Sequence, residues 1–268
     1  MTAVAVVPRR ALRGLGRIVP LTGTLLFALV VELLVRSGAI DSRLMPPPTE
    51  VVDALLVEVR RGEFWSAIGD TLQGWAIGLA IAVLAAVPAG VLVGNSRFAY
   101  RSVRFLVDFI RPIPSIALLP LLMLVVGIDP KLRVYMVALA AFWPMFFQAS
   151  YGVQDVDPVV RDTARAYRVG AVRRFLFVSI PGATPFIATG LRLSAAIALL
   201  LAGGTEMVVG IPGLGFQIFS AQYAGHITRM YALVAASGLL GMLIGVAFSR
   251  LERRALRWHS SQRKEQSS

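Results

Sequence analysis

The sequence predicts an all-α, polytopic membrane protein with about six transmembrane helices, on three observations. Of its 268 residues 56% are hydrophobic and only 16% charged, where a soluble domain carries roughly a quarter charged residues. Nearly uncharged apolar runs of about 20 residues, the length that spans a bilayer, recur along the chain. The basic residues then alternate in density between the runs. Loops on one side hold 18 of the 27 lysines and arginines, loops on the other side hold 7, and Arg111 and Arg192 lie inside runs. The positive-inside bias places both termini, and the loop between the fourth and fifth runs, in the cytoplasm. It also assigns the net charge of +12 to topology and argues against a nucleic-acid partner. Without cysteine there are no disulfides or thiolate metal sites, and two histidines, His226 and His259, argue against a metal cluster.

The expected spans are 18–35, 74–94, 105–128, 134–153, 186–211 and 230–248. The first follows a basic tail and continues through "VELLVRSG" with no small-x-small site, so it reads as an uncleaved span rather than a signal peptide. The second has no charge; the fourth carries Pro144, a candidate kink. Between the first two lies a long outer loop with three prolines, Thr49 as an expected helix cap, a helical apolar period and Gly62 as a stop. It reads as an interfacial helix outside the membrane. The glycine-rich loop after the fifth span reads as a tight turn and a short helix. These boundaries divide the chain into a tail, first span and amphipathic segment (1–65), a transmembrane domain (66–255) and a C-terminal tail (256–268). No G-x-x-x-x-G-K-[ST] sequence occurs, so any ATP would be bound by another chain.

The loop between spans four and five is the polar exception. Asp157-Pro158 is a cap followed by proline at the first helical position. Val159, Val160, Thr163, Ala164 and Tyr167 share one side of the helix that follows. Arg161, Arg165 and Arg168 form a basic stripe, and Asp162 is placed to pair with Arg165 at i+3. Gly170 is the expected break, "AVRRFLFVSI" a second short helix, and Pro181-Gly182 its end. Two readings fit: insertion into a groove on a cytoplasmic partner, or an amphipathic connector held on anionic lipid.

The same loop resembles the EAA loop of binding-protein-dependent ABC importer permeases, whose pattern is E-A-A, three residues, G, nine residues, I-x-L-P. Asp162-Thr163-Ala164 stands at E-A-A, Arg168 at the glycine and Val178-Ser179-Ile180-Pro181 at I-x-L-P, with the spacing kept. Aspartate shortens the acidic side chain, and arginine replaces glycine, with Gly170 two positions on expected to supply the break. "VDFIRPIPSIALLPLLMLVVG" is similar to the third span of the sulfonate, taurine and nitrate subgroup, with Val125-Val126 where an aromatic pair is common. "PFIATGLRLSAAIALLLAGGTEMVVGIPGLGFQI" is similar to its fifth span and following turn.

Within the spans, Asp108 and Arg111 lie one turn apart, either as an anchoring ion pair or as lining of a pathway. Pro112, Pro114 and Pro120 would free backbone carbonyls, which suits either a pathway wall or a kinked packing helix. Arg192 and Glu206 are about 21 Å apart along one helix and cannot pair within it. Glu206 is expected either on the substrate path or in an interfacial or packing role, and Glu32 is expected to snorkel.

The resemblance implies a permease subunit of an ATP-driven importer without catalytic residues or cofactor of its own. Its implied partners are a second permease subunit (most simply a homodimer), two ATPase subunits holding ATP and Mg, a periplasmic or lipid-anchored binding protein, and membrane lipid. The implied ATPase-coupling residues are Asp162, Thr163, Ala164, Arg165, Arg168, Gly170, Val178, Ile180 and Pro181. The implied cargo is a small organic anion of the sulfonate, taurine or nitrate kind, with a pyrimidine-type vitamin precursor or an amino acid as alternatives. A secondary transporter would instead show mid-membrane carboxylates and pseudo-repeats, and an embedded enzyme a polar cluster at the membrane face.

Overall fold

The computed structural model describes residues 9–110 and 113–255. Every regular element among them is helical. Helix α1 is Arg9–Arg36, α2 Pro48–Glu58, α3 Gly62–Gly94, α4 Arg97–Ile110, α5 Leu119–Val126 and α6 Lys131–Gln154. Then come α7 Pro158–Ala166, α8 Ala171–Arg174, α9 Ile180–Val209, α10 Leu214–Tyr223 and α11 Ile227–Ala255. Four segments among the described residues are long and apolar enough to cross a membrane: Gly62–Gly94, Lys131–Gln154, Ala171–Val209 and Ile227–Arg254. Helix α1 has 28 residues and carries the first expected run.

The centre of the bundle is α6, gripped between α3 and α9. Small side chains bring the three backbones together: Leu79 and Ala82 of α3 meet Val137 and Ala141 of α6 and Ala195, Ala198 and Ala202 of α9. In a bilayer, where apolar side chains gain little by leaving lipid, such close packing is a main source of helix association. Gly90 shows how tight the seam is, since a Cβ there would stand 2.5 Å from the Phe146 carbonyl oxygen. Cross-helix hydrogen bonds add to the packing. Trp75 Nε1 donates to the Ala195 carbonyl (2.9 Å) and Ser194 Oγ to the Ala141 carbonyl (3.0 Å).

The outer elements close one end of this core. Helix α2 packs on α11, and Glu58, 2% exposed, receives Arg229 Nε at 2.9 Å and Arg61 Nη1 at 2.7 Å. Thr49 does not cap α2 with its side chain; the helix starts one residue earlier at Pro48. Instead Glu32 of α1 accepts from both the Thr49 amide (3.1 Å) and its hydroxyl (2.8 Å), a carboxylate capping a neighbouring helix. Glu32 also pairs with Arg36 at 2.6 Å, so it is a joint between α1 and α2 rather than a snorkelling side chain. Gly62 begins α3 instead of ending α2. Because α3 runs through residue 65, the division drawn at 65/66 falls inside a helix.

Two further expectations are corrected. The third span is not one helix: beyond α4 the backbone is non-helical at Ile113 and Pro114, a 3-10 turn occupies Ser115–Leu118, and α5 starts at Leu119. Pro114 precedes the 3-10 turn and Pro120 sits in the first turn of α5, where a missing N–H leaves no carbonyl orphaned. Pro181-Gly182 ends nothing either, since the chain stays helical from Ala171 to Val209. A π-helical turn at Phe175–Ser179 shifts the hydrogen-bond register just before Pro181, which cannot donate. Pro144 likewise stays inside a continuous α6.

Candidate functional site

The polar loop 157–181 is built from its first residue. Asp157 Oδ1 accepts from the Val159 amide at 2.8 Å, and Pro158 takes the first position of α7. Arg161 Nη2 donates to the Val153 carbonyl of α6 at 2.7 Å and fixes α7 against the core. Ala164 is 9% exposed and faces inward, whereas Val159 (69%), Tyr167 (81%) and Val172 (71%) face outward. Asp162 pairs with Arg165 at 3.1 Å on the surface, and Thr163 is exposed.

The helix ends where the resemblance would place a glycine. Arg168 has φ 51°, the only positive φ on a non-glycine residue among those described. The amide of Arg168 donates to the Arg165 carbonyl, and that of Val169 reaches back to the Ala164 carbonyl at 2.9 Å. This is the left-handed termination that glycine adopts without strain. Gly170, expected to supply the break, has φ −55° and needs none of glycine's freedom. Arginine therefore occupies a glycine conformation at roughly 1–2 kcal/mol. Arg168→Gly is expected to raise the stability of the loop by about 1 kcal/mol, and Arg168→Val to lower it. Hydrogen exchange at the amides of 166–170 reads the difference, and equal protection in both variants would contradict it. Downstream, Ile180 packs on Val91, Ala149, Val153 and Ala183. Val178 lines a cleft of about 550 Å³ with Val160 and Phe177, and Pro181 lies within the first turn of α9.

A second polar centre lies at the other end of the bundle, and the sequence disclosed only half of it. Glu206 is 0% exposed and Arg133 4% exposed. Arg133 Nη1 lies 2.7 Å from Glu206 Oε1 and also donates to the Pro212 carbonyl at 2.8 Å. Glu206 Oε2 accepts from Thr71 Oγ1 and from the Gly215 amide, both at 2.9 Å, and Thr71 Oγ1 accepts from the Leu214 amide at 2.9 Å. The network ties α3, α6 and α9 to the start of α10. It requires glycines: a Cβ on Gly213 would meet the Glu206 carboxylate, and one on Gly215 the Gly203 carbonyl oxygen. In this structure Glu206 is a packed, buried ion-pair partner.

Arg133 is one of the seven basic residues of the less basic set of loops, and nothing in the sequence singles out Thr71. The signal the sequence does carry is depth, since Arg133 near the start of α6 and Glu206 near the end of α9 share one level. At the opposite level Arg192 meets Glu252 of α11 at 3.4 Å.

A cavity of about 380 Å³ opens between the segment before α5, α6 and α9, lined among others by Ile113, Ser115, Trp143, Phe147, Gln148 and Tyr151. Its walls join an aromatic run in which Trp143 and Phe147 are 6.4 Å apart and Phe147 and Tyr151 6.1 Å. Pro114 and Pro120 are exposed beside it. Pro112 and Arg111 lie outside the described residues, as does the side chain of Asp108, and the expected Asp108–Arg111 pair with them.

Membrane-length helices around a small-residue core, with a capped polar helix in one loop, are the architecture of a multi-pass membrane protein. The chain belongs to the binding-protein-dependent transport system inner membrane component family, whose sequence model matches residues 78–257. It is 29% identical over 243 residues to the taurine transport system permease protein TauC of Escherichia coli, spanning 88% of each chain. It is 27% identical over 254 residues to the bicarbonate transport system permease protein CmpB of Synechococcus elongatus, spanning 90% of each. In fold it is similar to a chain of the MetNI methionine ABC transporter solved in inward-facing conformations. The TM-score is 0.65 at 21% identity, over 72% of this chain and 95% of that one. Permeases of this family work with an ATPase and a binding protein, and this chain is accordingly a permease component of an ABC importer.

Proposed function

We propose that two copies of this chain form the transmembrane pathway of the importer and that loop 157–181 is its connection to two cytoplasmic ATPase subunits. Those subunits bind ATP and Mg and perform all the hydrolysis; this chain holds no cofactor and performs no covalent chemistry. Both termini and the loop lie on the cytoplasmic side of the inner membrane. A periplasmic or lipid-anchored binding protein delivers cargo to the opposite end, where α2 and α10 stand. The cargo is a small organic anion such as a sulfonate, in line with the names of relatives that serve aliphatic sulfonates and taurine, and the nitrate import permeases among them make a small inorganic anion the alternative. ATP-driven closure of the ATPase pair moves α7, and α6 and α9 follow because Arg161, Ala164 and Ile180 anchor the loop on them. The two end states then differ in which side of the pathway is open, as alternating access requires.

The observation that carries this reading is the outward apolar face of a rigidly capped α7, with Tyr167 81% exposed beside the left-handed Arg168. Because the chain has no cysteine, Tyr167→Cys gives a unique attachment point. A short thiol cross-linker on the intact complex is expected to join it to an ATPase subunit, while Tyr223→Cys on α10 gives no such product. Labelling of Tyr167→Cys by a membrane-impermeant thiol reagent from the periplasmic side would overturn the assignment.

A further inference from the structure

We propose that the groove between the α3–α4 turn and α7 binds the phosphate of an anionic phospholipid. The groove measures about 810 Å³ and is lined by Asn95, Arg101, Gln154, Arg161, Asp162 and Arg165, among others. Three guanidinium groups thus border one cavity, two from α7 and one from α4. Asp162 is the acidic group of the lining and is already paired with Arg165 at 3.1 Å. Arg161 is held in place by its bond to the Val153 carbonyl at 2.7 Å through Nη2, which leaves its other donors for a ligand. Arg101 is exposed and makes no ion pair among the described residues. Planar forks of this kind suit phosphate oxygens.

The surroundings select a lipid over a soluble anion. The groove begins at Gly94 and Asn95, where the apolar helix α3 ends, the level at which headgroup phosphates sit. Phe98 and Phe105, at i−3 and i+4 from Arg101 on α4, share its face and are 82% and 83% exposed. Leu92 at the end of α3 is 62% exposed. A guanidinium flanked on its own helix face by two exposed phenyl rings matches a ligand with a charged head and an acyl chain. Juxtamembrane arginines attract anionic lipid on the cytoplasmic face in the same way. Loop 157–181 then has two separate faces: the exposed Val159, Val160 and Tyr167 form an outer rim, while Arg161 and Arg165 hold the headgroup behind it. The proposal needs only that α3 ends at the membrane surface, and it stands independently of any contact between loop 157–181 and an ATPase.

The test uses the purified permease–ATPase complex in phosphatidylcholine vesicles with and without phosphatidylglycerol. Lipid retained after detergent extraction is counted by mass spectrometry for the wild type, Arg101→Gln and Arg101→Lys. The wild type is expected to retain phosphatidylglycerol in preference to phosphatidylcholine. Arg101→Gln reduces that preference about fivefold, the factor for one juxtamembrane arginine, and Arg101→Lys keeps most of it. Basal ATPase activity in pure phosphatidylcholine should match the wild type in both variants, which reports a folded complex. Undiminished retention in Arg101→Gln overturns the proposal. So does displacement of the retained lipid by millimolar inorganic phosphate, which would mark the groove as a site for a soluble anion.

Discussion

Replacing Glu206 with alanine is expected to cost about 3–5 kcal/mol of stability, the loss seen when one partner of a buried ion pair is removed. Arg133 is only 4% exposed and its Nε already lacks a partner, so its charge would remain in the core with only the Pro212 carbonyl. The Gly215 amide and the Thr71 hydroxyl would lose their acceptor as well. Glu206→Gln keeps an acceptor but not the charge, and should fall between alanine and wild type. The double variant Glu206→Met with Arg133→Met should recover most of the loss, because apolar side chains of similar volume replace buried pairs at little cost. Thermal unfolding of the detergent-purified complex measures all four proteins. An alanine variant within about 1 kcal/mol of wild type would mean that the four-element network holds nothing together.

Asp162→Lys should have the opposite profile, with intact folding and lost transport. Asp162 is 70% exposed in its pair with Arg165, and a surface pair contributes only about 0–1 kcal/mol. Insertion, yield and thermal unfolding should therefore be near wild type. Reversing the charge on α7 places a lysine between Arg161 and Arg165, beside the apolar rim proposed to meet the ATPase. A weakening of about 1.4 kcal/mol there is a tenfold change, so uptake into vesicles should fall at least about tenfold while basal ATP hydrolysis persists. Deleting 164–170 removes the Ala164 anchor and the left-handed turn together, and should abolish uptake altogether. Wild-type uptake by either protein would rule out the loop as the transmission element.

The apolar spans were legible because each signal lies within one segment. The uncharged run in α3 and the apolar run of α6 appear nearly where hydropathy puts them, as do the Asp157 cap and the Asp162–Arg165 pair. What escaped depends on partners distant in sequence or on backbone states that run against residue preference. Glu206 and Arg133 are 73 positions apart, and nothing local to either predicts the other. Arg168 adopts φ 51° against the intrinsic preference of an L-residue, so glycine at 170 looked the better break. The run through Pro181 was hidden because proline ordinarily ends helices, and only a π-helical turn lets this one continue. In the third span the opposite occurred: hydropathy is continuous where the helix is not, since apolar composition reports burial in lipid and not hydrogen-bond geometry.

The uninterrupted segment Ala171–Val209 contains 39 residues, about 58 Å of rod. One end is rooted in the polar loop and the other in the Glu206 cluster. Over that length a rotation of one degree about either end displaces the opposite tip by about 1 Å. Small angular changes on the loop side would therefore arrive at the far mouth enlarged, unless the π turn near the rod's base flexes and absorbs them.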